Sequence, residues 1–185
     1  MGFHINQRLN KIDADIARIY NWEMTFPDIA KVTTSISDAE DFIIRTRNST
    51  IPSKGNEKIQ TDFMGMKAFF AGKPVFTNTI TLLAEEFEDL LISKGMYEWN
   101  ENVFSTSLKS VSPGSSLKHQ KKGGYAINAF LKLYSQDGTI LDKQWKLYNV
   151  FPENVDDVSL DYAGNDSIKY SMTFSFDTWE LIDTP

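Results

Sequence analysis

The sequence predicts a mainly β protein: a two-sheet antiparallel β-sandwich or barrel with one flanking α-helix. Apolar and polar side chains alternate along residues 167–178, as they do in a strand with one buried face. Asp137-Gly138 is a two-residue hairpin signal, because both positions tolerate positive φ. Aromatic residues make up 13% of the 185 residues, and such side chains fit a half-buried pleated surface. Strands on short connections build sandwiches or barrels.

The N-terminal segment, residues 1–20, is predicted to be an amphipathic helix or arm ahead of a single domain at residues 21–185. Its apolar residues recur at steps of four and three, which places them on one helical face. These residues are Ile5, Leu9, Ile12, Ile16 and Ile19. Because the repeat is short, a helix lying on its own sheet is favoured over an arm between subunits.

The first half of the domain is predicted to contain four strands, at residues 21–26, 42–46, 59–64 and 75–83. Pro27 stops the first strand, and the polar stretch 31–41 is predicted to be a loop. Gly65 suggests a bulge or a close backbone approach. Residues 67–74 are predicted to turn the chain.

A helix is predicted where the hydrophobic period changes, from Leu83 to Gly95 or onward to Trp99. The other face of this helix is acidic and is interpreted as exposed to solvent. Acidic residues near the start of a helix are favourable because the helix N-terminus is positive. These acids are Glu85, Glu86, Glu88 and Asp89. Residues 100–124 are predicted to be a long polar loop that carries His119 and several lysines.

The last third is predicted to consist of strands around 125–134 and up to about Tyr148, a turn at 163–166, and the strand at 167–178. In the first and last of these strands the residues alternate, so each has one apolar and one polar face. The apolar positions are Tyr125, Ile127, Ala129, Leu131, Leu133, Ile168, Tyr170, Met172, Phe174 and Phe176.

The charge and composition argue against several classes of protein. The formal net charge is −6 and the pI about 4.9, whereas a protein that grips nucleic acid is usually basic. The absence of cysteine excludes disulfides and thiolate metal sites. No signal-peptide pattern and no run of about 18 apolar residues is present, so no membrane association is expected.

No residue pattern predicts catalysis, a cofactor or a metal. The two histidines, His4 and His119, lack partners spaced as in a nucleophile system or a tetrahedral metal site. Gly72-Lys73 superficially matches a phosphate loop, but Pro74 stands where Ser or Thr is needed. The lysine-rich stretch 118–122 could contact an anion, although a solvated or partner-facing loop is favoured by the overall acidity. The protein is therefore predicted not to be an enzyme.

Several short motifs occur in a specific order between residues 22 and 181, and in that order they resemble one family. The chain resembles the tail tube proteins of contractile-tailed bacteriophages, the T4-type tail tube family. The motifs are residues 50–53, 69–76, 79–82, 87–99, 145–152, 160–162 and 168–179. The amphipathic N-terminal stretch and the loop 102–122 are not part of the resemblance.

The resemblance implies a structural virion protein with a phage tail tube-like β-sandwich. Six copies would close into a ring, and stacked rings would form the inner tube of a contractile tail, the conduit for DNA ejection. The implied partners are other copies of the chain, the tail sheath protein, baseplate tube proteins and the tape-measure protein, with transient passage of DNA. The implied location is the phage tail of the virion, after assembly in the host cytoplasm.

Two alternatives stay open at this point. The nearer is a baseplate tube-initiator or the inner-tube protein of a contractile injection system, both built on the same fold. The distant one is a small-ligand-binding β-barrel, which would need a pocket lined by convergent polar groups.

Candidate subunit-interface residues are Phe69, Phe70 and Lys73, beside Gly72 and Pro74. Neighbouring residues of a strand point to opposite faces, so at least one of the two phenylalanines is expected to pack against another subunit.

Asp62 is the candidate lumen-facing residue, because an acidic bore would repel phosphates, and the inner face is expected to carry a net negative potential. The potential would be less negative if the bore were lined by the strands that carry three basic residues, Arg45, Lys132 and Lys146.

Overall fold

The computed structural model describes residues 17–105, 110–111 and 124–184. Its strands are β1 Trp22–Thr25, β2 Thr46–Ser49, β3 Lys54–Phe63, β4 Met66–Phe76, β5 Thr79–Glu85, β6 Phe104–Ser105, β7 Ser110–Val111, β8 Ile127–Leu133, β9 Lys143–Val155, β10 Lys169–Ser175 and β11 Thr178–Asp183. Its helices are α1 Ala39–Arg45 and α2 Leu91–Val103, with a 3-10 turn at Ile29–Lys31. His4, His119, the lysine-rich stretch 118–122 and the predicted helix before residue 17 lie outside the described residues.

Two antiparallel sheets share one long strand, which confirms the predicted mainly β, two-sheet fold. The first sheet has the order β1-β8-β9-β11, and the second the order β9-β10-β5-β2. The first half of β9 pairs with β8 and β11, and its second half pairs with β10. Strand β9 therefore bends from one sheet into the other and forms a corner of the sandwich.

The corner lies at Asn149, whose φ of 57° is in the left-handed region. The Asn149 side-chain amide donates a hydrogen bond to the Asp177 carboxylate at 2.8 Å. The Asp177 backbone N–H donates to the carbonyl of Tyr148 at 3.0 Å. Because the chain bends at Asp177 as well, the strand predicted over residues 167–178 is instead two strands, β10 and the start of β11.

An aromatic cluster forms the centre of the core between the sheets. The ring of Phe26 lies 5.3 Å from that of Phe42, 6.1 Å from that of Trp99 and 5.4 Å from that of Phe174. All four side chains are buried. The predicted alternation of β10 is also confirmed, since Met172 and Phe174 have no exposed surface.

The strand predicted over residues 42–46 is wrong, because residues 39–45 form the helix α1. The Asp38 side chain accepts a hydrogen bond from the Glu40 N–H at 3.0 Å and so caps the helix N-terminus. Phe42 and Arg45, three residues apart, are both buried on the same side of the helix. Capping and burial here outweigh the strand preference of a short apolar run. This helix was not predicted.

The helix predicted from Leu83 begins later, at Leu91, because residues 79–85 continue as β5. The acids before it are not a solvated helix face. The buried Glu86 carboxylate accepts hydrogen bonds from the backbone N–H groups of Ile92 and Ser93, at 3.2 and 2.7 Å. Asp89 pairs with Arg45 at 2.6 Å, and this hydrogen-bonded guanidinium lowers the pKa of the Asp89 carboxyl. These acids satisfy the free N–H groups at the helix N-terminus and tie it to α1.

Helix α2 continues past Gly95 and past Trp99 to Val103, so both predicted endings are too early, the later one by four residues. A Cβ at Gly95 would lie 2.3 Å from Cδ1 of Ile36, which means that only glycine permits this close approach. One turn later, the Trp99 indole N–H donates to the carbonyl of Tyr125 at 2.7 Å. The helix is thus held against the core along one face.

Candidate subunit interface

Strands β3 and β4 form a long hairpin that pairs with no other strand among the described residues. Met64 and Gly65 form its turn, with φ of 48° and 80°. Two consecutive positive φ values are typical of a type I′ hairpin turn. Gly65 is therefore a turn residue and not a bulge, and residues 67–74 form a strand instead of the predicted turn.

The irregularity in the hairpin lies farther along, where the register shifts between Asn56 and Lys58. Gly72 stands opposite this shift, and a Cβ there would lie 3.1 Å from the carbonyl oxygen of Glu57. The two backbones approach closely at this point, so glycine is favoured there.

One side of the hairpin is an almost continuous apolar surface, named here the apolar hairpin face. Ile59 is paired with Phe70, and Phe63 with Met66, on the same side of the ribbon. These four side chains are 54–74% exposed. Thr61 and Ala68 complete the face between the two pairs. A contiguous exposed apolar patch of this kind marks an interaction surface.

The opposite side of the hairpin is mixed and largely charged. The Lys58 ammonium lies 4.4 Å from the centre of the Phe69 ring. Asp62 is directly across from Lys67, so the charge of one offsets that of the other. Gln60 also donates a hydrogen bond to Asp62 at 3.3 Å.

The predicted interface residues thus lie on one strand but do not form one surface. Phe69 and Phe70 point to opposite faces, and only Phe70 belongs to the apolar hairpin face. Lys73 lies 4.0 Å from Glu57, and both side chains are more than half exposed. Sequence reasoning missed Ile59, Phe63 and Met66 as interface candidates. Their signal was the period-two alternation on both sides of Met64-Gly65, which predicts a hairpin with one apolar face.

Both sheets have open edges among the described residues. Strand β1 pairs only with β8, and β2 pairs only with β5. On the other side, β11 pairs only with β9. Unpaired edges present free N–H and C=O groups that a strand of another chain can pair with.

The three basic residues that would make a bore less negative lie in different surroundings. Arg45 is buried and paired with Asp89, so it faces no open surface. Lys132 lies 3.7 Å from Glu23 on the outer face of the first sheet. Lys146 lies on the same face, 4.6 Å from the centre of the Tyr148 ring.

The described residues contain neither a metal-binding cluster nor a membrane-spanning helix. No group of three or more His, Cys, Asp or Glu side chains in the described part is placed to hold a metal ion. No helix within residues 17–105, 110–111 and 124–184 has the length and hydropathy needed to cross a membrane.

Known structures share this fold over almost the whole chain. A chain of the anti-feeding prophage cap covers 95% of this chain and 99% of its own length, with a TM-score of 0.60 and 16% identity. A chain from the sheath-tube complex of an extracellular contractile injection system in the extended state covers 99% and 100%, with a TM-score of 0.57 and 16% identity. At such identities the likeness shows the fold alone.

Sequence comparison shows the family. Tail tube protein gp19 of Enterobacteria phage T4 is 23% identical over 169 residues, which is 90% of this chain and 98% of that protein. The corresponding protein of Enterobacteria phage T6 matches to the same extent. The family model described as phage tail tube protein matches residues 17–182. The chain belongs to the phage tail tube protein family.

Proposed function

We propose that copies of this tail tube protein associate into closed rings, six copies to a ring, and that the rings stack into the hollow inner tube of a contractile phage tail. The observation that carries the proposal is the apolar hairpin face, which the described part of the chain leaves uncovered. In a tube, the hairpin of one copy lies against a neighbouring copy.

The energetics favour this arrangement. Burying one large apolar side chain is worth about 1.5–3 kcal/mol relative to leaving it in water. Ile59, Phe63, Met66 and Phe70 are all more than half exposed, so their burial against a second copy would stabilise the contact substantially. The open edges of the two sheets supply a second kind of contact, through backbone hydrogen bonds. Head-to-tail contacts of this kind form rings where they close and filaments where they do not.

The tube has further partners in this proposal. The sheath protein surrounds it, baseplate tube proteins start it, the tape-measure protein occupies it during assembly, and DNA passes through it at ejection. Support for the first two comes from the solved relatives, which include chains of a sheath-tube complex and of a baseplate. Assembly takes place in the host cytoplasm, and the finished tube is part of the virion.

A second candidate is a protein that starts or ends a tube. The fold is shared with chains of a tube-terminating cap and of a sheath/tube terminator, with TM-scores of 0.60 and 0.61. A starter or terminator forms one ring and stops, whereas a tube protein stacks ring upon ring. The inner tube of a contractile injection system is a third role on the same fold.

Three finer expectations remain predictions within this proposal. Residues 1–20 form an N-terminal amphipathic helix or arm ahead of the domain 21–185, Asp62 lies near the bore, and Lys73 contacts a neighbouring copy. Phe69 is a weaker interface candidate than Phe70, because Lys58 already covers its ring.

Electron microscopy and sedimentation of the purified protein over a range of concentrations test the proposal. We expect rings and tubes at high concentration, while single rings that never stack would support the terminator or initiator role. Monomers at every concentration, without any particles, would contradict both.

A pair of matched variants tests the interface itself. Ile59→Ser combined with Phe70→Ser removes a cross-strand pair from the apolar hairpin face and should abolish tubes while the monomer stays folded. Phe69→Ser, on the opposite side of the same strand, should leave assembly nearly intact. If Phe69→Ser blocks tubes and the double variant does not, the other face of the hairpin is the interface.

A further inference from the structure

We infer that an apolar groove between the edge strands β1 and β2 is the binding site for the amphipathic N-terminal segment, residues 5–16, of the same copy. The groove, named here the edge groove, has a volume of about 370 Å³. Its apolar lining consists of Ala17, Ile19, Trp22, Ile51, Leu131 and Leu133. The inference goes beyond the proposed tube, because it concerns the copy before it assembles.

The edge groove lies where both sheets have open edges. Trp22 belongs to β1, and Asn48 and Ser49, which also line the groove, belong to β2. Within the described residues, β1 pairs only with β8 and β2 only with β5. An apolar groove beside unpaired edges invites association with other chains, and proteins commonly cover such edges with a helix or a loop.

The exposure of the lining residues shows that the groove needs a cover. Leu131 is buried, whereas Ile51 is 55% and Ile19 95% exposed. Two isoleucines that are mostly exposed beside one groove form an apolar rim. Burial of that rim by a second apolar surface is favourable, because it removes apolar area from water.

The N-terminal segment enters the described structure at this groove. Ala17 is the first described residue and is itself part of the lining. A turn follows, in which the Asn21 backbone N–H donates a hydrogen bond to the carbonyl of Arg18 at 3.3 Å. Such a turn reverses the chain direction, so the residues before Ala17 do not extend the line of β1 away from the sandwich. The segment therefore reaches the groove without a linker.

The pattern of the segment matches the groove in character and length. Its apolar residues fall on one helical face, at steps of four, three and four. They are Ile5, Leu9, Ile12 and Ile16. A helix of 12 residues is about 18 Å long, whereas an edge strand of four residues spans about 13 Å. One apolar stripe can thus cover the whole groove while Arg8 and Lys11 stay in water.

Continuity of the chain favours the segment of the same copy over other occupants. The N-terminal segment or the hairpin of a second copy would also present an apolar surface. A segment joined directly to the groove has an effective concentration on the order of millimolar, which exceeds that of free copies in a dilute solution. In the unassembled protein, the own segment is therefore the occupant that we expect.

Cysteine labelling of the dilute, unassembled protein tests the docking. The chain contains no cysteine, so a single introduced thiol is the only one that reacts with a maleimide. Ile12→Cys lies on the apolar stripe, and Lys11→Cys is the matched control on the other face. We expect Ile12→Cys to react at least about tenfold more slowly than Lys11→Cys, with equal rates in urea. Equal rates without urea would overturn the inference.

A second substitution locates the site that protects the thiol. Ile51→Asp places a charge at the rim of the edge groove and should restore fast labelling of Ile12→Cys. Ile44→Asp is the matched control, because Ile44 is similarly exposed but does not line the groove. It should leave the protection unchanged. Protection that persists with Ile51→Asp would mean that the segment packs elsewhere and would contradict the inference. Thr50→Trp, which crowds the same rim, replaces Ile51→Asp if circular dichroism shows that the latter is unfolded.

The dependence on concentration distinguishes the same copy from a second one. Protection of Ile12→Cys should stay constant on dilution, since the segment and the groove belong to one chain. Protection that disappears on dilution would assign the groove to a second copy and overturn the inference. All of these rates are measured on monomers, so a failure to form tubes would count against the proposed function and not against the docked segment.

Discussion

Strand β10 and the β3–β4 hairpin have the same alternating pattern of side chains but opposite surroundings. In β10, Met172 and Phe174 are fully buried between the two sheets. In the hairpin, Phe63 is 66% and Phe70 59% exposed. Alternation therefore predicts that a strand has one apolar face, but it does not predict whether that face is covered by the same chain.

The difference indicates where each region obtains its stability. The sandwich has its own core, whereas a two-stranded hairpin without a covering layer is only marginally stable in water. Substitutions in the core should therefore change the stability of the monomer, and substitutions on the apolar hairpin face should change assembly instead. Three predictions test this division, in order of decreasing effect on the monomer.

The largest effect is expected for Trp99→Ala. Trp99 is fully buried against Phe26 and Phe174, so its truncation leaves a large cavity and removes its hydrogen bond to Tyr125. Truncating a buried Trp typically costs about 3–5 kcal/mol. Urea unfolding of the monomer measures the loss. A cost below about 1 kcal/mol would mean that the aromatic cluster is not the centre of the core.

An intermediate, pH-dependent effect is expected for Glu98→Gln. The Glu98 carboxylate accepts hydrogen bonds from the backbone N–H groups of Thr34 and Ser35, at 2.7 and 2.9 Å, and from the hydroxyls of Thr33 and Ser35, at 2.7 and 2.6 Å. Burial alone would raise the pKa of Glu98, but these hydrogen bonds lower it from 4.5 to about 2.

The direction in which stability changes with pH follows from the lowered pKa of Glu98. Because the folded state holds the proton more weakly than the unfolded state, the contribution is complete above the unfolded pKa of 4.5 and is lost as the pH falls toward 2. Glu98→Gln should therefore destabilise the monomer by about 1.5–3 kcal/mol at pH 7, the range for hydrogen bonds to a charged group. The difference from the original protein should shrink below pH 4.5, and a difference that is constant down to pH 2 would contradict this account.

The smallest effect on the monomer is expected for Phe70→Ser. Its side chain is mostly exposed, so the free energy of unfolding should change by less than about 0.5 kcal/mol, as for other surface substitutions. Assembly should weaken strongly. Amide hydrogen exchange sharpens the comparison, since the hairpin should exchange quickly in the monomer and slowly in tubes. A monomer that unfolds on this substitution would place the hairpin in the core.

Much of the fold could be predicted from local patterns. The apolar positions Ile127, Ala129 and Leu131 of β8 are buried, as their alternation indicates. The errors lie where a local preference competes with tertiary contacts. Residues 42–46 have strand-like composition, but the cap at Asp38 and the burial of Phe42 favour a helix.

The candidate interface could be predicted only in part. Two adjacent phenylalanines beside glycine and proline indicated an unusual surface, and the structure assigns them to opposite faces of β4. The cross-strand partner of Phe70, which is Ile59 on the facing strand, depends on the hairpin register. That register is set by the Met64-Gly65 turn and by the shift near Glu57, which alternation alone does not locate.

The sequence by itself determined the fold class, the apolar face of each strand in the last third and the family, because these depend on the order and period of side chains along the chain. Only the tertiary structure decided that Arg45 is buried beside Asp89 and that Phe70 shares its face with Ile59 across the hairpin. These outcomes depend on contacts between residues that are separated in the sequence. The physical reason is that a strand's own pattern specifies two faces, whereas the strands and helices packed around it decide what each face meets.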